Sequence, residues 1–562
     1  MRRTTVTATA AAALSATLVL AGCGSSDDGK PVKKQAAPAV DGQNVNARPL
    51  SDLKQGGTLK MGLSTWPANF NWNTPDGFQG DATEVDGALL PDLFDNDAKG
   101  AQHINPNFLT SAKVVSTDPQ VVEYELNPKA KWSDGKPLSW KDFAAQWKAL
   151  NGGDKDYEAA VTDGYEEISK VEQGKDAHGV RITFDKPYAE WQNLFDPVYP
   201  AAYIDTPEKF NTGWTQKLPV TANAFKVKEI DRTAQTITIV PDPDWWGPKP
   251  KLDSVVYRIV DFTATTEAYL NKEIDQATAL LPEDYKRLVK APGTDIRRGA
   301  RWDEVHIALN GARGPLKDVR VRQALGNAID RKGINTAFSK DLSFELKPLD
   351  NHLFMPNQEG YQSNSGEYGK YDPEKAGKLL DAAGWKSAGA GKPRTKDGKQ
   401  LTLEYTLSAG SSSAQVDQAE LVQQQLAAVG IKITLKKVPA NDYFTKFVNT
   451  GNFDLTSFRN VDAVFKSVVT PTFVQPQGKN LFQNYGSIGS PKIDALLKKA
   501  QQTVDTTEAN KLYNEADKEL WKLGHSIELY QRPQIVAVRS GLANYGAEGL
   551  ASRDYTKIGW LK

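Results

Sequence analysis

The sequence predicts an α/β protein built from more than one structural unit. Length is the first observation, since 562 residues exceed what a single core usually holds. The second is residues 401–437. Leu401, Leu403, Tyr405 and Leu407 alternate with polar residues, and a helical pattern runs from about Ala414 to Val429. Gly430 ends it, and Ile431, Ile433 and Leu435 alternate again. A strand–helix–strand unit of this length implies a parallel pair with a right-handed crossover. The third is composition. A 39% hydrophobic share beside a 25% charged share is ordinary for a soluble protein with a sizeable core. Basic and acidic residues balance at 69 each, so no polyanion partner is favoured and no nucleic-acid role is expected.

The N-terminus is the least globular part. Arg2 and Arg3 precede an apolar stretch from Ala8 to Leu20, too short for a comfortable membrane span. Leu20-Ala21-Gly22-Cys23 follows and resembles the bacterial lipobox, in which cleavage leaves a lipid-modified cysteine as the first residue. Residues 1–22 are therefore expected to be a lipoprotein signal peptide and Cys23 the lipidation site. Cys23 is the only cysteine, which rules out an internal disulfide and a cysteine-based metal or redox centre. Residues 24–55 are rich in Gly, Ser, Asp, Lys, Ala and Pro without apolar period, so 23–55 reads as a lipidated flexible tether. Without residues 1–22, the chain carries 67 basic against 69 acidic residues. No later run approaches the ~20 apolar residues of a membrane span.

Further along, residues 56–63 and 112–126 read as strands. Ser139 caps a helix, with Asp142 three residues on and Phe143, Trp147 and Leu150 on one face. Asp318 caps another helix over 318–331, with Val321, Leu325, Ala328 and Ile329 as its buried stripe. Arg320, Arg322 and Arg331 read as its solvated face. Asp372-Pro373 opens the next helix and Gly384 closes it. Phe453 to Phe458 reads as a strand that ends at Arg459-Asn460.

Several of these segments together resemble the bacterial ABC-transporter solute-binding proteins for oligopeptides and dipeptides (extracellular family 5). Gly56-Gly57-Thr58-Leu59 is similar to the family's opening strand. Tyr124 to Leu126 with Ala130-Lys131-Trp132-Ser133-Asp134-Gly135-Lys136-Pro137-Leu138 and Asp142-Phe143 resembles its most recognisable block. Asp318-Val319-Arg320-Val321-Arg322-Gln323-Ala324-Leu325 with Ala328-Ile329-Asp330-Arg331 resembles its second. Tyr371 to Ala376 with Leu379-Leu380 and Ala383-Gly384-Trp385 resembles its third. Two stretches depart from the pattern. Pro219 to Phe225 replaces the usual Gly-Thr-Gly-Pro. Phe458-Arg459-Asn460-Val461-Asp462-Ala463 stands where many members carry a Trp, an Asp and an Asp-Pro.

The resemblance implies a two-lobed periplasmic-binding-protein-like clamp with an extra inserted domain. Lobe I would hold 56–98, 219–312 and 535–562. The inserted domain would be 99–218, and the other lobe 313–534. The crossings near 313 and 534 would act as hinge. The implied function is capture of an oligopeptide or dipeptide for an ABC importer whose permease and ATPase are separate subunits. A monomer held at the outer face of the membrane by its lipid is expected, with no cofactor. Rival ligands within the same fold are an oligosaccharide or a metal chelate.

Asp462 is the expected partner of a peptide's ammonium. It follows a strand end, where ligands of α/β sheets sit, and the resemblance places an ammonium-binding acid there. Arg459 and Asn460 accompany it. Phe78, Gln79 and Tyr165 fall on expected loops within reach of the cleft. Trp245 and Trp246 are expected to pack inside.

Catalysis finds no motif. His103, His178, His306, His352 and His525 form no His-x-x-x-His or His-Glu-x-x-His spacing, so no metal site is expected. No Gly-x-Ser-x-Gly elbow occurs. Ala388 to Pro393 lacks the first Gly of a phosphate loop and has Pro393 where Ser or Thr would bind magnesium. Paired acids are too common here to single out a secreted glycosidase. A binder is expected, not an enzyme.

Overall fold

The computed structural model describes residues 42–562, apart from 280, 341, 343, 390, 477–480 and 482. The signal segment and Cys23 lie outside the described residues. The tether expected to reach residue 55 is shorter. Asn44 and Ala547 exchange backbone hydrogen bonds of 2.8 and 3.0 Å, and the Lys54 N–H donates to Trp560 O at 2.9 Å. Leu53 between them is 1% exposed. One apolar anchor and two backbone pairings dock a segment whose composition alone reads as unstructured.

Strand β1 (Thr58–Leu63) turns Leu59, Met61 and Leu63 inward. Helix α1 (Gly80–Asp86) follows. The stretch read as one strand at 112–126 is a hairpin, β2 (Leu109–Thr117) and β3 (Gln120–Leu126). Helix α2 (Trp140–Leu150) starts as its cap signal requires, with the Asp142 carboxylate accepting from the Ser139 N–H at 2.9 Å. With β4 (Ile168–Gln173) and β5 (Gly179–Phe184), these strands form an antiparallel sheet in the order β2-β3-β5-β4.

Strands β6 (Phe225–Asp231), β7 (Thr236–Pro241) and β8 (Ser254–Ile259) return to β1, which pairs parallel with β8. Trp245 and Trp246 each lie 5.8 Å from the Phe108 ring. They weld the first sheet to the inserted unit in one hydrophobic core.

The third sheet positions the site. Its first strands are β9 (Gln276–Thr278) and the long β10 (Thr294–Leu309). Helices α3 (Val319–Ala328), α4 (Arg331–Ser339) and α5 (Pro373–Ala382) follow. Then come β11 (Thr402–Ser408), α6 (Ser413–Ala428) and β12 (Lys432–Val438), the expected strand–helix–strand unit with a parallel pair. Gly430 ends α6 at φ +82°, a left-handed conformation that costs glycine nothing. Strand β13 (Leu455–Val461), helices α7 (Pro491–Gln501) and α8 (Thr506–Leu523), and strand β14 (Ser526–Arg539) complete it. The strand order is β9-β14-β10-β13-β11-β12.

Strands β10 and β14 belong to both sides of the protein. Residues 294–300 pair with 533–539, beside β9, whose preceding residue Asp275 is hydrogen-bonded to Lys60 of β1. Residues 304–308 pair with 526–531 and with β13. The β10–β14 register shifts between Ala300 and Glu304. Strand β10 thus runs from one set of partners to the other ahead of the loop near 313.

The solvated arginine face expected on 318–331 holds for Arg320 alone. Arg322 is buried and donates to Leu316 O at 2.7 Å and to Leu523 O at 2.7 and 3.0 Å. Burial pulls its pKa down to about 10. Arg331 is 6% exposed and donates to the carbonyls of Leu349, Glu528 and Gly369 at 2.6, 3.0 and 2.8 Å and to Asp350 at 2.8 Å. Carbonyls at chain reversals need donors, and a guanidinium supplies five. Arg331→Met should cost about 3–5 kcal/mol in denaturant unfolding, the range for removing one partner from a buried charge network. Arg320→Met should leave the midpoint unmoved. A loss below about 1 kcal/mol for Arg331→Met, an ordinary surface value, would contradict this role.

Candidate ligand cleft

The register shift in the long strands builds the site. A bulge bends a strand and re-aims its side chains. Here it sends Arg301, Trp302 and Asp303 into a cavity of about 560 Å³, a usual size for a small-ligand site. One wall is α1, with Thr83 and Glu84, its cap Gly87, and the C-terminal segment, with Glu548, Ser552, Arg553 and Tyr555. The other is the end of β13, with Arg459, Val461 and Asp462. A smaller cavity of about 200 Å³ shares Glu84, Arg301, Gln534 and Arg553.

Charge in the cleft is organised around a buried Asp303 and a partly buried Arg553. Asp303 is 2% exposed and receives three guanidinium groups: Arg301 at 3.1 Å, Arg459 at 2.9 Å and Arg532 at 3.0 Å. One carboxylate cannot neutralise three cations, so this cluster carries an excess positive charge. Arg459 and Arg301 remain about half exposed and turned to solvent. On the facing wall, Arg553 sits between Glu84 and Glu548, 3.0 Å from the latter. Tyr555 donates to Glu84 at 2.7 Å.

The walls touch on one side of the cleft. Glu190 of the inserted unit accepts from the Ser467 N–H at 3.0 and 3.1 Å, and from its hydroxyl. The Ala189 N–H donates to Gln501 O at 3.0 Å, and Glu359 N–H to Lys99 O at 3.0 Å. Burial pushes the Glu190 pKa up, against the pull of its Ser467 hydrogen bonds. Further cavities of about 960 and 340 Å³ run between these walls and share Gln358 and Glu359.

Three of the residues singled out by sequence lie together at this end of β13. Arg459 and Asp462 line the 560 Å³ cavity, and Asn460 lies on the strand between them. The strand runs on through Val461, so Asp462 remains the first residue past its end. The expected role of Asp462 needs correcting. Its carboxylate is buried and already ion-paired with Lys466, at 3.0 and 3.1 Å. Lys466 also donates to Gln358 at 3.0 Å and to Ala463 O at 3.1 Å. Burial pushes Asp462 up and Lys466 down in pKa, and each partner opposes the other's shift. A carboxylate so compensated has no unpaired charge to offer a ligand.

Phe78 and Gln79 precede α1 and line none of these cavities. Phe78 is 48% exposed and leans on Trp72, ring centres 4.3 Å apart. Tyr165 belongs to the interior of the inserted unit. Its hydroxyl donates no bond into the cleft; it accepts from the Phe195 N–H at 2.7 Å and from Gln146 at 3.3 Å. The sequence reading missed Arg301, Asp303, Arg532 and Glu190. The one available signal was Arg297-Arg298-Gly299-Ala300-Arg301-Trp302-Asp303-Glu304, a charge-dense stretch inside a strand. Within the sheet, Glu304, His306 and Glu528 bring metal-ligating atoms within 4.8 Å of one another.

Comparison with known proteins agrees with this architecture. The signature described as "Bacterial extracellular solute-binding proteins, family 5 Middle" matches residues 103–478. The oligopeptide-binding protein OppA of Mycobacterium tuberculosis H37Rv is 37% identical over 552 residues, covering 97% of this chain and 92% of the relative. A solved periplasmic EDTA-binding protein, EppA, superposes with a TM-score of 0.80 at 25% identity, covering 94% of this chain and all of the other. The oligopeptide-binding protein AppA of Bacillus subtilis, solved with a nonapeptide, gives a TM-score of 0.68 at 23% identity, over 91% of this chain and all of that one. With the two walls, the crossing strands and the cleft between them, these matches establish that the chain belongs to the bacterial extracellular solute-binding proteins, family 5.

Proposed function

We propose that this protein captures oligopeptides outside the cytoplasm and delivers them to an ABC importer. The observation that carries the reading is the cleft at the β10–β14 crossing, combined with 37% identity to OppA over nearly the whole chain. Among the described residues no helix is long and apolar enough to cross a membrane. Retention at the outer face of the membrane falls to Cys23 and its lipid. The chain acts as a monomeric binder without chemistry of its own. ATP hydrolysis and translocation belong to the separate permease and ATPase subunits.

The charge pattern assigns roles. The guanidinium groups around Asp303 receive a carboxylate of the ligand, its C-terminus or an acidic side chain, through charge-assisted hydrogen bonds. The ligand backbone pairs with polar groups of the walls in the manner of an added strand. Asp462 acts through Lys466. Together they hold the 463–467 turn where Ser467 meets Glu190, so that pair supports closure of the clamp.

Two binding measurements test these roles. In calorimetry with one peptide as free acid and as C-terminal amide, the amide should bind about tenfold more weakly, about 1.4 kcal/mol. Arg459→Gln should weaken the free acid and leave the amide unchanged. Equal affinities for acid and amide, with an unaffected Arg459→Gln variant, would remove the arginine cluster from recognition and turn the search to neutral oligosaccharides.

The second concerns Asp462. Asp462→Asn leaves Lys466 buried without its counter-charge, a change worth about 3–5 kcal/mol in comparable networks. It should weaken free and N-acetylated peptides equally, because the loss falls on closure. A loss confined to the free-ammonium peptide would instead make Asp462 a direct ligand of the peptide's N-terminus.

A further inference from the structure

Between the third sheet and α8, groups far apart in sequence converge. Glu304 and His306 stand two residues apart on β10, on one face of the strand. Glu528 of β14 lies opposite His306 in the antiparallel register. Their ligating atoms all fall within 4.8 Å of one another, and all three residues are buried. The cavity they line, with His352 beside them, measures about 30 Å³, room for one ion or one water.

His352 is oriented toward this point. Its Nδ1 lies 2.6 Å from the Asp517 carboxylate of α8. That carboxylate also accepts from the His352 N–H and from Asn364, each at 2.8 Å. With Nδ1 held by Asp517, the lone pair of a neutral ring is on Nε2, which lies 3.7 Å from Glu528 Oε1. A carboxylate behind a histidine is the arrangement that fixes metal-ligating imidazoles. Among the described residues, Glu304 Oε2 and His352 Nε2 are buried without a hydrogen-bond partner. Ser526 donates to the other side of the site, to Glu528 Oε1 at 2.6 Å.

Calcium and magnesium prefer an all-oxygen shell, whereas two imidazoles with two carboxylates suit zinc and its neighbours.

We propose that Glu304, His306, His352 and Glu528 form a structural site for one divalent transition-metal ion, zinc by the chemistry of its ligands. Bonds of ~2.0–2.2 Å require side-chain movement: the ion replaces the 2.9 Å contact between His306 Nδ1 and Glu304 Oε1, and His352 comes in from outside the group whose atoms lie within 4.8 Å of one another. The ion cross-links β10 and β14 just inside their crossing and ties both to the segment around His352. It fixes the lobe end of the hinge and takes no part in the cleft, so it stands independently of what the cleft binds.

The test uses the full-length chain, purified without metal-affinity steps. Elemental analysis should find about one equivalent of a transition metal. After chelator treatment, zinc chloride titrated into the protein should bind with a stoichiometry of one. Asp517→Asn should lower zinc affinity about 10- to 100-fold, as loss of an orienting carboxylate does. Glu304→Gln with Glu528→Gln should abolish the binding. Should that double variant fail to fold, cobalt(II) in the wild type decides. The visible absorption of a four-coordinate nitrogen–oxygen site supports the proposal, and a six-coordinate spectrum overturns it. Absence of saturable binding to the wild type, or zinc uptake unchanged in a folded Glu304→Gln/Glu528→Gln variant, also overturns it.

Discussion

Two antiparallel strands that belong to both sides of the molecule govern everything else here. Because β10 and β14 run unbroken through the crossing, the two sides share one backbone ladder and can move only where that ladder is weak. It is weakest between Ala300 and Glu304, where the register shifts. The same irregularity that leaves room for bending also aims Arg301, Trp302 and Asp303 into the cleft. The strand crossing and the lining of the candidate cleft are thus one feature of one strand.

Buried charge decides which residues can recognise a ligand and which only support the frame. Asp462 with Lys466, and Arg331 with its four acceptors, are paired internally and hold turns in place. The cluster on Asp303 is different. Three guanidinium groups share one carboxylate, and two of them keep an open side toward solvent. On the proposed reading, these two open guanidinium groups receive a carboxylate that the ligand brings. That is chemistry a peptide can meet at its C-terminus.

Much of the fold was legible in the sequence. The capping pair Ser139 and Asp142, the Asp318 cap and the 401–437 unit are local signals, and local hydrogen bonds settle them. Packing of Trp245, with Trp246 half-buried beside it, is what the family resemblance implied against a sugar platform. What depended on distant partners was not legible. Nothing near Arg322 or Arg331 in sequence shows that the carbonyls of residues 523 and 349 need their donors. Nothing near Asp462 shows that Lys466, one helical turn on, has already taken its charge. Tyr165 reads as a loop residue because the chain around it lacks period, yet Phe195 and Gln146 enclose it. The docked stretch 44–54 has no regular apolar period, and its pairing with the C-terminal segment orders it. The arginine cluster escaped for a related reason. A bulge cannot be read from alternation, and without it Arg301 and Asp303 read only as one polar face of an ordinary strand.

The central claim is that a peptide occupies the cleft at the crossing of β10 and β14. Native mass spectrometry of the protein taken gently from its producing cells tests it most directly. The account predicts a 1:1 complex from which intact peptides are released on activation, and loss of that complex in an Arg301→Gln/Arg459→Gln variant that still folds. Release of a sugar or a metal chelate instead of peptide, or peptide retained undiminished by the double variant, would contradict it.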